Sequence, residues 1–171
     1  MTKINTKVGT ESGTRLGTGI GTKDGLTAQR MDFRATAPKV FKAVLALDGA
    51  ARAGLDPVVL ELVQIRTSQL NRCAYCIDYH TRDARAAGET EERLHQLTAW
   101  QDALLYTAAE RAALALTEAV TLLPGGVPDD VYEAAAHHFG EEQLAQLIAV
   151  ICTANVWNRM NVTTRKTPGT P

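Results

Sequence analysis

The stretch Glu61-Leu-Val-Gln-Ile-Arg-Thr-Ser-Gln-Leu-Asn-Arg-Cys73-Ala-Tyr-Cys76-Ile-Asp-Tyr-His80 brings a carboxylate, two thiols and an imidazole into one short part of the chain. Two cysteines three positions apart at the first turn of a helix can close a disulfide, and a helix N-terminus favours the thiolate form. His80 lies one helical turn beyond Cys76 on the same face, so its imidazole can exchange a proton with that sulfur. The pattern predicts a redox pair. The alternative is two buried structural cysteines beside a surface histidine.

The segments around this stretch predict two helices that fold back on each other. Asp56-Pro57 is typical of an N-cap followed by a first helical residue, and it opens a helix that runs to about Leu70. Asn71-Arg72 interrupts the pattern before the thiol helix, which continues to Gly88. In an antiparallel hairpin, Glu61, ten positions before the break, would lie beside His80, nine positions after it. The alternative is a solvated Glu61 on an amphipathic helix.

The rest of the chain also shows helical spacing, so the predicted fold class is all-α, a single-domain bundle of about six or seven helices. Three segments define the organisation: residues 1–28 are a Thr/Gly tetrapeptide-repeat tail predicted to be disordered, residues 31–162 are the helical domain, and residues 163–171 are predicted to be flexible. Further helices are expected over residues 38–54, 90–98, 108–122, 128–138 and 140–160, and Thr107-Ala-Ala-Glu110 reads as a capping box.

Composition excludes some function classes. The chain has 171 residues and a formal net charge of -1, which does not suggest a nucleic-acid partner or an anionic membrane surface. We find no segment of about 20 apolar residues and no signal-peptide pattern, so the expected location is cytoplasmic, with no membrane partner. Three cysteines do not make a disulfide framework, and in a reducing compartment a C-x-x-C pair is typical of catalysis or metal binding.

Metal binding through Cys73, Cys76, His80 and Glu61 is the main rival interpretation, because zinc accepts mixed ligand sets. Cys73 and His80 are seven residues apart, however, which is about 10 Å of helical rise, whereas both would have to lie about 2 Å from one ion. We therefore expect no metal. Cys152 follows Ile151 in the last helix and is predicted to be a core residue.

With Glu61, eleven intervening residues and then C-x-x-C-x-x-x-H, the chain resembles the alkylhydroperoxidase D core of the carboxymuconolactone decarboxylase superfamily. The resemblance covers roughly residues 31–162. It implies an all-helical subunit, a homo-oligomer (trimer or hexamer), and thiol-dependent reduction of organic hydroperoxides with no prosthetic group. An external dithiol, or a lipoyl or thioredoxin-like protein, would restore the thiols. Carried over by position, Cys76, Cys73, His80 and Glu61 would form the catalytic set. Further similar segments are Ala37-Pro38, Ala53-Gly54-Leu55, Arg82–Glu89, Glu118-Ala119 and Asn155–Arg159.

Two features separate the chain from other branches of this superfamily. Tyr75 stands where the mycobacterial-type enzyme has a second histidine before the second cysteine. The decarboxylase branch works without the C-x-x-C pair, so the pair in this chain argues against lactone decarboxylation. Activity as a disulfide reductase for another peroxidase is an open alternative. Because Cys76 is one turn from His80, we expect Cys76 to attack the peroxide and Cys73 to resolve the sulfenic acid. The alternative is the reverse order, since the helix N-terminus and Arg72 could instead make Cys73 the more acidic thiol.

Overall fold

A computed structural model of the protein describes residues 22–23 and 26–169, and these residues form eight α-helices and one minimal antiparallel pair of strands. The all-α prediction is confirmed. The strands are β1 Thr22–Lys23 and β2 Leu26–Thr27, and the helices are α1 Phe33–Thr36, α2 Pro38–Ala51, α3 Pro57–Leu70, α4 Ala74–Ala86, α5 Glu91–Gln96, α6 Ala108–Thr121, α7 Asp129–His138 and α8 Glu141–Thr164.

The helix count exceeds the predicted six or seven because a separate turn, α1, precedes α2. Asp32 caps α1 by accepting a hydrogen bond from the backbone N–H of Ala35 at 3.1 Å. Pro38 then starts α2, since proline is tolerated at the first position of a helix but not within one. At the other end of the chain, α8 continues to Thr164 rather than ending near Met160.

Local signals explain where most helices begin and end. Asp56 accepts hydrogen bonds from the backbone N–H groups of Val58 and Val59, as an N-cap does. The predicted capping box is present, with Thr107 and Glu110 each bonded to the other's backbone N–H.

Helix α3 lies at the centre of the bundle. It contributes Val59, Leu60 and Val63 to one hydrophobic cluster, which also involves α6, α7 and α8. It contributes Leu62 and Ile65 to a second cluster, which involves α4, α5 and α6. Apolar residues of α3 thus pack in two different clusters, and this packing fixes the position of the polar residues that the helix also carries.

The predicted disordered tail, residues 1–28, falls mostly outside the described residues. Among the residues that the structure describes, no helix has the length and apolar character needed to cross a membrane.

Candidate active site

The turn between α3 and α4 fixes the position of the two cysteines. Arg72 adopts a left-handed conformation with φ of 56°. The backbone N–H of Cys73 then donates a hydrogen bond to the carbonyl of Ser68 at 2.9 Å. The N–H of Arg72 donates one to the carbonyl of Gln69 at 3.1 Å. This is the Schellman pattern of a helix C-terminus. It turns the chain sharply, so that Cys73 becomes the N-cap of α4 and Cys76 falls in its first turn, as predicted.

The two sulfurs are in direct contact. The Cys73 thiol donates a hydrogen bond to the Cys76 sulfur, with the two Sγ atoms 2.8 Å apart, and both cysteines are free. Asn161 of α8 also donates to the Cys76 sulfur, over 3.3 Å from its Nδ2. Both cysteines are buried, with Cys73 2% and Cys76 4% exposed. They are buried because α4 and α8 both pack on α3 there.

These contacts make the two thiols unequal in acidity. The hydrogen bond from Cys73 lowers the pKa of Cys76 from 9.0 to about 6, against the opposing effect of burial; the amides of Asn161 and Asn158 and the charge of His80 act in the same direction as Cys73. The pKa of Cys73 is raised well above its ordinary value, because its proton is held in the bond to Cys76 and the group is buried. Cys76 is therefore the sulfur that carries the negative charge near neutral pH.

The predicted hairpin brings Glu61 and His80 together. His80 Nδ1 lies 2.8 Å from Glu61 Oε2, and both residues are buried. The other Glu61 oxygen accepts a hydrogen bond from Arg52 at 3.4 Å, and Arg52 also donates to Asp48 at 3.0 Å. Glu61 is thus a buried carboxylate with two partners, and the alternative of a solvated side chain is wrong. A charged carboxylate on one imidazole nitrogen fixes the orientation of the ring.

An asparagine ladder on α8 ties that helix to the hairpin. Asn71, at the end of α3, donates to Asn155 and Asn158 over 2.9 and 3.0 Å, and Asn158 in turn donates to Ser68 at 3.0 Å. These hydrogen bonds of Asn155 and Asn158 join α8 to the end of α3. The next member at the same spacing, Asn161, reaches the Cys76 sulfur.

A cavity of about 190 Å³ gives access to Cys76. Cys76 and His80 line it, whereas Cys73 does not. The remaining lining residues are Phe41, Leu45, Asp48, Arg52, Tyr75, Tyr79, Trp157, Asn161 and Lys166. A small molecule that enters the cavity would therefore meet the sulfur of Cys76 first.

The structure groups metal-ligand atoms differently from the rival zinc set. Glu61, His80 and Asp83 each bring one ligand atom to within 4.8 Å of the others. Neither cysteine belongs to this group. Within this group His80 and Glu61 are hydrogen-bonded to each other, and the two thiols form their own hydrogen bond apart from it.

The prediction that Cys152 is a core residue is wrong, because Cys152 is exposed. Its neighbour Ile151 is fully buried, but successive residues of a helix differ by about 100° in direction. Helix α8 covers the core with one face only, and position 152 lies outside that face. The remaining histidines are exposed and do not line the cavity that contains Cys76: His95, His137 and His138.

Fold and site together define an all-helical subunit with a buried C-x-x-C pair beside a Glu–His pair. The sequence profile of the carboxymuconolactone decarboxylase family matches residues 38–119. An uncharacterized protein of Bacillus subtilis, YdfG, is 39% identical over 137 residues, which cover 79% of this chain and 93% of YdfG. An uncharacterized protein of Escherichia coli, YnjA, is 32% identical over 110 residues, covering 64% of this chain and 60% of YnjA. The chain belongs to the carboxymuconolactone decarboxylase family.

Solved structures show the same core. A protein of unknown function from Agrobacterium tumefaciens, provisionally named antioxidant defence protein AhpD, matches with a TM-score of 0.81 and 32% identity, over 84% of this chain and 100% of that one. An alkylhydroperoxidase AhpD core from Ralstonia eutropha, an uncharacterized peroxidase-related protein, matches with a TM-score of 0.71 and 25% identity, over 80% and 74% of the two chains. The debrominase Bmp8 shares the fold, with a TM-score of 0.71 and 20% identity over 78% and 73%. The fold is AhpD-like.

Sequence reasoning missed three polar residues at this site. Asn161 continues the three-residue spacing of Asn155 and Asn158, and that spacing was a usable signal. Arg52 follows the end of α2 and Lys166 follows the end of α8, so no local pattern links them to the cysteines.

Proposed function

We propose that the protein is a thiol-dependent peroxidase that reduces organic hydroperoxides, with Cys76 as the attacking sulfur and Cys73 as the resolving one. The observation that carries the proposal is the contact between the two sulfurs, 2.8 Å apart, with only Cys76 facing the cavity. A low-pKa thiolate in a cavity, with a second thiol in contact, is the arrangement that such chemistry requires.

In the first step the Cys76 thiolate attacks the outer oxygen of the hydroperoxide. The O–O bond breaks, an S–O bond forms, and the sulfur is oxidised by two electrons to a sulfenic acid. The leaving alkoxide takes the proton that His80 received from the Cys76 thiol, and it departs as the alcohol. Glu61 holds that imidazole through the 2.8 Å bond and stabilises its charged form.

In the second step Cys73 gives up its proton and attacks the sulfenic sulfur. The S–S bond forms, the S–O bond breaks, and the hydroxide leaves as water after taking the proton. A dithiol then reduces the disulfide by thiol–disulfide exchange and is itself oxidised. The sum is one hydroperoxide and one dithiol converted to one alcohol, one water and one disulfide.

The relatives support this assignment in a general way. The structural neighbour from Ralstonia eutropha, at 25% identity, is a peroxidase-related protein with an alkylhydroperoxidase core. The neighbour from Agrobacterium tumefaciens has the provisional name of an antioxidant defence protein.

The test is consumption of cumene hydroperoxide with dihydrolipoamide as reductant, by wild type, Cys76→Ser and Cys152→Ser. We expect turnover in wild type, loss of at least 100-fold in Cys76→Ser, and full activity in the matched control Cys152→Ser, because that thiol is exposed and outside the cavity. Equal hydroperoxide consumption by wild type and Cys76→Ser would contradict the proposal. Reduction of protein disulfides without any hydroperoxide consumption would support the alternative of a disulfide reductase.

A further inference from the structure

A second cavity, of about 630 Å³, adjoins the one that contains Cys76. Phe41, Trp157, Asn161 and Lys166 line both cavities, so the two share a wall. The rings of Phe41 and Trp157 meet edge to face there, with centroids 5.3 Å apart. The second cavity has no role in the chemistry described above. Its volume falls within the range of about 300–1,000 Å³ that is typical of ligand sites, whereas the first cavity is smaller.

The wall of the second cavity combines polar residues with an apolar part that includes Phe33, Phe41, Trp157 and Met160. Aromatic and thioether side chains of this kind bury alkyl chains without cost to polar groups. The first cavity has room for the reacting end of a hydroperoxide and little more. An apolar chain attached to that end would therefore extend past Phe41 and Trp157 into the second cavity.

The charged residues of the second cavity are Asp32, Arg34 and Lys166. The carboxylate of Asp32 already accepts the backbone N–H of Ala35 as the cap of α1. Arg34 and Lys166 contact aromatic rings: the Arg34 guanidinium lies 5.8 Å from the centroid of Phe41, and Lys166 Nζ lies 4.3 Å from that of Tyr75. Within residues 26–169, neither cation forms an ion pair. The wall therefore has one positive charge in excess.

The position of Lys166 is set by the end of α8. Arg165 adopts the left-handed conformation with φ of 56°, and the N–H of Lys166 bonds to the carbonyl of Asn161 at 2.9 Å. This Schellman turn brings the chain back towards α4 and places the lysine over Tyr75. The arginine of the first cavity, Arg52, differs because Asp48 and Glu61 already pair with it.

We propose that the second cavity binds the chain of an extended acidic hydroperoxide, a long-chain hydroperoxy acid, whose carboxylate pairs with Lys166 and Arg34 while its O–O group reaches Cys76. This inference rests on the proposed peroxidase function and names its substrate class.

The test compares kcat/KM for three substrates: a hydroperoxy derivative of an octadecadienoic acid, its methyl ester, and tert-butyl hydroperoxide, all below micelle-forming concentrations. The long-chain substrates should exceed tert-butyl hydroperoxide by at least about tenfold, because each buried methylene contributes about fourfold to binding. The acid should exceed the ester by about fivefold, the size expected of a partly exposed ion pair. Lys166→Gln and Arg34→Gln should reduce that acid-to-ester ratio towards one. The matched control Lys42→Gln removes an exposed lysine outside both cavities and should leave the ratio unchanged.

An acid-to-ester ratio near one in wild type, or a ratio that neither Lys166→Gln nor Arg34→Gln changes, would overturn the inference. Turnover of tert-butyl hydroperoxide in the same experiment would show that the peroxidase proposal holds even though the second cavity does not bind the acid. If no hydroperoxide is consumed, the peroxidase proposal fails. A binding measurement then tests whether the second cavity binds a long-chain acid. The hydroxy acid and its ester are then titrated against the tryptophan fluorescence of the protein, to which Trp157, a lining residue of both cavities, contributes together with Trp100. Preferential binding of the acid, lost in Lys166→Gln, would support an acid-binding cavity, and equal binding would refute it.

Discussion

Replacing Glu61 with glutamine tests whether the buried carboxylate assists proton transfer through His80. In the wild type, His80 Nδ1 lies 2.8 Å from the Glu61 carboxylate. The substitution keeps the shape of that side chain and an oxygen that can accept the same hydrogen bond. It removes the negative charge that stabilises a protonated imidazole. It also removes one of the two carboxylates that pair with Arg52, which retains Asp48 at 3.0 Å. The variant should therefore fold, and its defect should appear in the chemistry.

The expected size of the effect follows from the burial of the pair. The Glu61 and His80 side chains are 7% and 10% exposed, so solvent screens their interaction little. A hydrogen bond to a charged group contributes about 1.5–3 kcal/mol. At about 1.36 kcal/mol per factor of ten, the rate of peroxide reduction should fall by about 10- to 150-fold.

The assay is single-turnover reduction of hydroperoxide by the reduced protein, with urea unfolding of each variant measured in parallel. Glu110→Gln is the matched control, because Glu110 is also a buried carboxylate paired with an arginine, Arg93, but lies outside the cavity. It should lose about 1–2 kcal/mol of unfolding free energy and retain the wild-type rate. A rate within twofold of wild type in Glu61→Gln would refute the role assigned to the Glu61–His80 pair.

Three further predictions follow from the site and the surface. The pKa of Cys76 is lowered to about 6, so its thiolate persists above that pH and is lost below it. The rate of alkylation by iodoacetamide at Cys76 should therefore be half-maximal near pH 6. A midpoint near pH 9 would contradict the assigned contacts. In the folded protein, a bulky maleimide should label the exposed Cys152 before the buried pair, which mass spectrometry of quenched samples would show; protection of Cys152 would mean that another subunit covers it. Helix α2 exposes Val40, Leu45 and Leu47 by more than half, so light scattering at micromolar concentration should give a trimer or hexamer, and a mass near 18.4 kDa would count against a homo-oligomer.

The sequence predicted those parts of the fold that local chemistry determines. Asp56, Thr107 and Gly88 each mark a helix end through a cap or a left-handed turn, and the helices begin and end beside them. The pairing of Glu61 with His80 was predictable because a short break between two helices fixes their register. A turn of three residues, Asn71 to Cys73, and the periodicity of the two helices are enough to place those side chains together.

Contacts between distant parts of the chain were not predictable in the same way. Cys152 is flanked by buried residues, but only the packing of α8 on α2, α3 and α6 decides which of its faces is covered. Lys166 lies 90 positions from Cys76, and its place over Tyr75 depends on where α8 ends. The burial of both active thiols likewise depends on α8, whose Asn161 contacts Cys76.

The roles of the two sulfurs are the central claim, and trapping the sulfenic acid tests them most directly. The reduced Cys73→Ser and Cys76→Ser variants would each receive one equivalent of hydroperoxide in the presence of dimedone, and the adduct would be located by mass spectrometry. The proposed mechanism predicts an adduct on Cys76 in Cys73→Ser and little or none in Cys76→Ser. An adduct that forms only in Cys76→Ser, on Cys73, would contradict the account and reverse the two roles.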